Sequence, residues 1–197
     1  NYKDPEKIKA AIEVKRNAWI ADAALHAERG RVLIIGTLVG NEFSFMEGDE
    51  MDILRAFWVY CQNNWSEGEW RIIGHNIRGF DMPFLIRRSW LTGVEVPGLA
   101  LPSTQSRYLP HIFVDTMERW SLGGKDPYIS LDQLAKSMGV GSKIGRGSEF
   151  AALYAADKEA AIEYLKNDLT LTQAIAKRMG LISNPFLDNQ DKQEVSQ

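Results

Sequence analysis

Arg71-Ile72-Ile73-Gly74-His75-Asn76-Ile77-Arg78-Gly79-Phe80-Asp81-Met82-Pro83-Phe84-Leu85 is the stretch on which the fold turns. With Trp70 before them, Ile72 and Ile73 predict the end of a buried strand, which Gly74 interrupts. His75, Asn76 and Arg78 then crowd a short polar loop, and Gly79 is expected to permit an unusual backbone turn. Asp81 opens a helix, with Pro83 in its first turn and Phe84, Leu85 and Ile86 as its apolar face. A carboxylate placed where a strand hands over to a helix is a frequent setting for chemistry in α/β folds. Asp is also among the best N-cap residues, so Asp81 stands at this point both as a cap and as a candidate site residue.

Working upstream, Val32 to Val39 forms a nearly continuous apolar run that suits a central strand. Asn41 marks a tight turn, and Phe43-Ser44-Phe45 returns as the partner strand of a hairpin. Before the hairpin, Asp4-Pro5-Glu6 reads as N-cap and first turn. Ile8, Ile12, Trp19 and Ala23 recur at helical spacing after it, predicting an amphipathic helix that covers a core. Between hairpin and strand, Met51, Leu54, Phe57, Trp58 and Cys61 predict a helix over Glu50 to Gln62.

Downstream, Val94 to Pro110 is proline-punctuated and aperiodic, an irregular loop. His111 to Thr116 reads as a short strand, and Asp115 at its end is expected to act as a cap rather than a site carboxylate. Ser130 caps a helix ending near Gly139. Gly139, Gly141, Gly145 and Gly147 then space out a loop carrying Lys143 and Arg146, which suits either a mobile surface loop or a phosphate contact. Its spacing fits neither the dinucleotide fingerprint nor a P-loop. Asp157 caps a last long helix that runs to about Met179, stops at Gly180, and buries Ala161, Leu165, Leu169, Ile175 and Met179. The expected organisation is a helical segment over 1–30, one main domain over 31–182 and a polar tail over 183–197.

The 197 residues suffice for one sizeable core, and 45% hydrophobic with 25% charged residues is ordinary for a soluble globular protein. No apolar run approaches the ~18 residues of a membrane span. The single cysteine, Cys61, leaves no internal disulfide and fits a reducing, cytoplasmic setting. A net charge of −3 and a pI near 5.7 argue against salt-driven coating of duplex nucleic acid, yet allow a small site that grips a few nucleotides.

Within the last helix lies Tyr164-Leu165-Lys166-Asn167-Asp168. Tyr164 and Asp168 are four apart, so both project from one face. Together with Asn76-Ile77-Arg78-Gly79-Phe80-Asp81, this resembles the second and third motifs of the tyrosine subclass of DEDD (DEDDy, DnaQ-like) 3′–5′ exonucleases. That subclass includes the proofreading domain of family-B DNA polymerases. The motifs are Asn-x-x-x-Phe-Asp and Tyr-x-x-x-Asp, and the resemblance covers about Arg31 to Met179. It implies an RNase H-like α/β fold, a mixed sheet opening with an antiparallel hairpin and helices on both faces. It implies hydrolysis of single-stranded 3′ ends, DNA or RNA with DNA favoured, by two Mg²⁺ or Mn²⁺ ions.

By the same resemblance Asp81 and Asp168 are metal ligands and Tyr164 orients the attacking water. Asn76 hydrogen-bonds the terminal nucleotide and Phe80 packs on it. The family's first motif, Asp-x-Glu on a strand before the hairpin, has no match: Asp4-Pro5-Glu6 opens a helix, and Asp22 and Glu28 are wrongly spaced. The expectation is that this strand precedes Asn1; the alternative is a catalytically inactive nucleic-acid-binding or interaction module on the same fold.

Overall fold

The computed structural model describes residues 4–65, 71–98, 100–101, 112–122 and 128–182. The expected strand start at Trp70, most of the irregular loop through Pro110 and His111, and the tail from 183 lie outside them. In chain order the elements are α1 (Pro5–Ala23), β1 (Ile35–Val39), β2 (Glu42–Met46), α2 (Glu50–Trp65) and β3 (Ile72–Gly74). A π-helical turn (Ile77–Asp81) leads into α3 (Met82–Thr92), then β4 (Phe113–Asp115), α4 (Thr116–Trp120) and α5 (Leu131–Ser137). A 3-10 turn (Gly147–Glu149), α6 (Phe150–Ala156) and α7 (Lys158–Arg178) complete the order. No helix among the described residues is long and apolar enough to cross a membrane.

Asp4 caps α1 as expected, its carboxylate accepting the Glu6 N–H at 3.1 Å. The core-covering face does not follow: Ile8, Ile12 and Trp19 are exposed, while Ala23 and, beyond the helix, Ala27 are buried. Charged residues alternate too closely with the apolar ones for a broad stripe to form.

Strand β1 begins later than the apolar run because Val32 is engaged elsewhere. Its N–H donates to Glu50 Oε1 at 2.7 Å, and its side chain joins the core under α2. Arg88 grips the same carboxylate through Nε (2.8 Å) and Nη2 (2.6 Å) and reaches the Ala27 carbonyl at 2.8 Å. Burial pushes the Glu50 carboxyl pKa up, but Arg88 and the Val32 amide prevail and hold it below the usual range. The hairpin forms as expected, with Val39 opposite Glu42 and Gly40 at φ +61° making the turn beside Asn41.

Strands β3 and β4 pair in parallel, Ile73 against Val114. The expected single mixed sheet is not continuous among the described residues; the strands form two separate pairs. Helix α7 joins them by packing on both β1 and β3. At Gly36 the approach is so close that a Cβ would stand 2.8 Å from Leu165 Cδ2. The main core gathers Ile53, Leu54, Phe57 and Trp58 of α2 against Met82, Leu85 and Ile86 of α3 and Phe113 of β4. Trp58 Nε1 donates to Ser89 Oγ at 2.8 Å, which donates to the Leu85 carbonyl at 2.8 Å, so the buried indole is satisfied. A second cluster packs Leu131, Leu134 and Ala135 of α5 on Leu171 and Ile175 of α7. The capping box at Ser130, the Asp157 cap (Ala160 N–H to Oδ1, 2.9 Å) and Gly180 at φ +67° end these helices where the sequence places them.

Candidate active site

The loop after β3 is built by exclusion. A Cβ at Gly74 would meet Ile77 at 2.6 Å, and one at Gly79 would collide with Asn76 Oδ1. The left-handed residue is Asn76, at φ +60°, not Gly79 as the sequence suggests; Gly79 is needed for close approach instead. Asn tolerates this region because its short amide suits it. Asp81 ends the π-helical turn with no side-chain capping bond, so the N-cap role does not hold. Phe80 packs on Phe84, ring centroids 5.7 Å apart.

Asp115 holds this loop. Its carboxylate, 3% exposed, accepts the N–H groups of Met117 (2.9 Å), Asn76 (2.9 Å) and Arg78 (3.1 Å). It caps α4 as expected, and it also reaches across to the motif loop, which the sequence does not disclose. Asp81 is open to solvent. Desolvation pushes its carboxyl up to about 7; its backbone amide opposes this, and the Asp115 charge adds to it.

His75 is the next knot. Nε2 lies 2.9 Å from the Ile129 carbonyl, so it carries the proton and donates there; Nδ1 lies 3.0 Å from Thr116 Oγ1. The ring ties the end of β3 to the starts of α4 and α5. Burial lowers its pKa, against the Ile129 carbonyl and the charges of Asp115 and Asp168, which raise it.

On α7, Tyr164 and Asp168 share one face, and Lys143 of the glycine-spaced loop closes over them. Lys143 Nζ stands 2.6 Å from Asp168 Oδ2 and 4.9 Å from the Tyr164 ring centroid. The Tyr164 hydroxyl and Asp168 Oδ1 are buried without a hydrogen-bond partner. Lys143 and Asp168 lie near enough to act on the Tyr164 proton, but neither is aligned as a hydrogen bond to it. Burial pushes the phenol pKa up, Asp168 adds to that, and Lys143 opposes it, so Tyr164 is a neutral hydroxyl near pH 7.

Asn76, Phe80 and Asp81 thus share one loop, and Tyr164 and Asp168 share one helix face. His75 feels the charges of both Asp115 and Asp168. The acids tested for a first motif are engaged elsewhere: Asp4 caps α1, and Asp22 pairs with Arg29 at 2.9 Å. Sequence reasoning missed His75 and the reach of Asp115, although a polar crowd at a strand end hints at the first. The Lys143–Asp168 pair spans 25 positions and leaves no periodic signal.

As for a divalent cation, a buried carboxylate oxygen without a partner at Asp168, and a cation already drawn to its other oxygen, fit a hard ion by donor chemistry. Among the described residues no cluster of three or more His, Cys, Asp or Glu could hold one, so the shell they offer is incomplete.

A family described as predicted 3′–5′ exonucleases related to the exonuclease domain of PolB matches residues 15–197. Among solved structures the chain is similar to the family B DNA polymerase from the hyperthermophilic archaeon Pyrobaculum calidifontis, at a TM-score of 0.59 and 20% identity. That match covers 78% of this chain and 22% of the polymerase, so the chain spans about a fifth of its length, and at this identity the likeness concerns the fold alone. No curated protein matches.

Proposed function

Because the chain belongs to the family of predicted 3′–5′ exonucleases related to the exonuclease domain of PolB, we propose that it is a metal-dependent hydrolase of 3′ ends. Its substrate is single-stranded nucleic acid, with DNA preferred, on an RNase H-like fold. The observation that carries this reading is the pairing of an unpartnered buried carboxylate oxygen at Asp168 with an unpartnered Tyr164 hydroxyl on one helix face. Polar atoms left unsatisfied in a buried place are costly for folding, about 1–3 kcal/mol each, and are relieved by a ligand.

Asp168 and Asp81 are the oxygen donors that would hold the metal, which when bound would activate water and neutralise charge at a phosphodiester. Tyr164, kept neutral, holds a water by its hydroxyl. Asn76, held in the left-handed region by Asp115, hydrogen-bonds the terminal nucleotide, and Phe80, braced on Phe84, packs against it. A raised Asp81 pKa fits a carboxyl that gives up its proton when a cation arrives.

A second reading, a binding module without catalysis, is favoured by Lys143 already neutralising Asp168 and by the incomplete donor shell. One assay separates the two. The full-length protein is given a 5′-labelled single strand with Mg²⁺ or Mn²⁺, and shortening from the 3′ end is followed on a gel. Loss of shortening with chelator and in Asp168→Ala supports the enzyme. An intact strand throughout, with tight binding, supports the module.

A further inference from the structure

The segment from Gly139 to Gly147 is folded down rather than free. Lys143 N–H donates to Asp132 Oδ1 (2.9 Å), Ile144 N–H to Asn167 Oδ1 (3.3 Å), and Asn167 Nδ2 to the Ser142 carbonyl (3.4 Å). Gly145 lies flat on Tyr164, where a Cβ would stand 3.0 Å from Cδ2; a Cβ at Gly147 would be 3.8 Å from the hydroxyl. The segment is therefore one wall of the Tyr164 site. It also lines an open depression of about 520 Å³, together with Asp132 and Arg146.

Charge distinguishes one residue there. Between 128 and 182, Lys136 pairs with Asp132 (2.6 Å), Lys143 with Asp168 (2.6 Å), Lys158 with Glu47 (2.7 Å) and Lys166 with Glu163 (2.5 Å). Lys177 bonds Gln173 (3.0 Å), and Arg178 bonds the Met138 carbonyl (3.0 Å). Among the described residues of that stretch Arg146 alone has no such partner, and it is exposed. On a chain of net charge −3, an uncommitted guanidinium at the lip of the depression is a local attractor for anions. Its planar fork matches phosphate oxygens.

We propose that Arg146 and the glycine wall at 145–147 form a phosphodiester-binding subsite. It takes a backbone phosphate of the single strand whose end reaches Tyr164 and Asp168. The inference rests on the exonuclease reading of that site, and goes beyond it by fixing which cation holds the strand away from the reacting bond.

The test is fluorescence anisotropy of a 5′-labelled oligothymidine with chelator present, over a range of KCl. Wild type is compared with Arg146→Gln, Arg146→Lys and Lys136→Gln, each checked for an unchanged melting curve. Losing one phosphate contact to a single strand removes about 0.7 from the slope of log K against log salt, or roughly fivefold in affinity at 0.1 M. Arg146→Gln should show both losses, Arg146→Lys should recover the slope, and Lys136→Gln should behave as wild type. Wild-type binding with an unchanged slope in Arg146→Gln overturns the subsite and leaves the exonuclease reading standing. No strand binding by wild type overturns the subsite, while the exonuclease reading is decided separately by 3′-end shortening with Mg²⁺ or Mn²⁺. Displacement of the strand by millimolar inorganic phosphate, lost in Arg146→Gln, would mark a free-anion site and also overturn the proposal.

Discussion

Asp115→Asn should loosen the motif loop more than a helix cap would. The carboxylate is 3% exposed and takes three backbone N–H groups: Asn76 and Met117 on Oδ1, and Arg78 on Oδ2. An asparagine can present its carbonyl to Asn76 and Met117, but its NH₂ then faces the Arg78 N–H, donor against donor. A buried N–H without an acceptor costs about 1–3 kcal/mol, and the two surviving bonds lose their charge-assisted share, about 1 kcal/mol together. The expected destabilisation is about 2–4 kcal/mol. For a chain of this size each kcal/mol moves Tm by about 2–4 °C, so the drop is on the order of 10 °C. Thermal and urea unfolding by circular dichroism measure it, and amide exchange at 76–81 should quicken in parallel. A Tm within about 2 °C of wild type at an unchanged m-value would refute the reasoning. Strand binding should weaken too, since Asn76 and Phe80 ride on that loop.

Two further outcomes follow from burial. His75 is held neutral, its folded pKa lowered, so its contribution to stability is present above about pH 6.5 and is lost as pH falls through the folded value. The Tm of wild type should therefore fall relative to His75→Gln on acidification, and parallel Tm–pH curves would contradict this. Cys61 is fully buried, and burial pushes its thiol up to about 12. Iodoacetamide should modify it only as the chain unfolds, and rapid labelling of the native protein would show the core to be open.

Much of this architecture was legible where local chemistry and tertiary packing agree. The Ser130 and Asp157 N-caps, Gly180 and the hairpin turn at Gly40 and Asn41 are short-range devices, and each bounds its element close to where the sequence indicates. The Val32 to Ile34 part of the apolar run misled because apolar residues satisfy a core as well as a strand, and the Val32 amide found Glu50 across 18 positions. Helix α6 was not foreseen: its seven residues are too few to show a period. Phe150 nevertheless packs on Tyr164, centroids 5.7 Å apart, so the short helix braces the site. The family was readable, since two spaced patterns in order carry information that neither has alone. The settings of the motif residues were not. That Asp115 would reach Asn76, that His75 would reach Ile129, and that Lys143 would settle on Asp168 are contacts spanning 39, 54 and 25 positions. No periodicity encodes such distances.

The unpartnered Tyr164 hydroxyl and Asp168 oxygen also say what a different kind of optimisation would do to this molecule. Someone redesigning the chain for heat resistance alone would put phenylalanine at 164. The orphaned hydroxyl would vanish, the Lys143–Asp168 pair at 2.6 Å would stay, and the protein should melt later. On the proposed exonuclease reading, the same change would remove the hydroxyl that holds the attacking water. On the reading proposed above, heat resistance and competence are set against each other at one position on α7, and the rise in melting temperature of Tyr164→Phe reports how much stability the site gives up to remain usable.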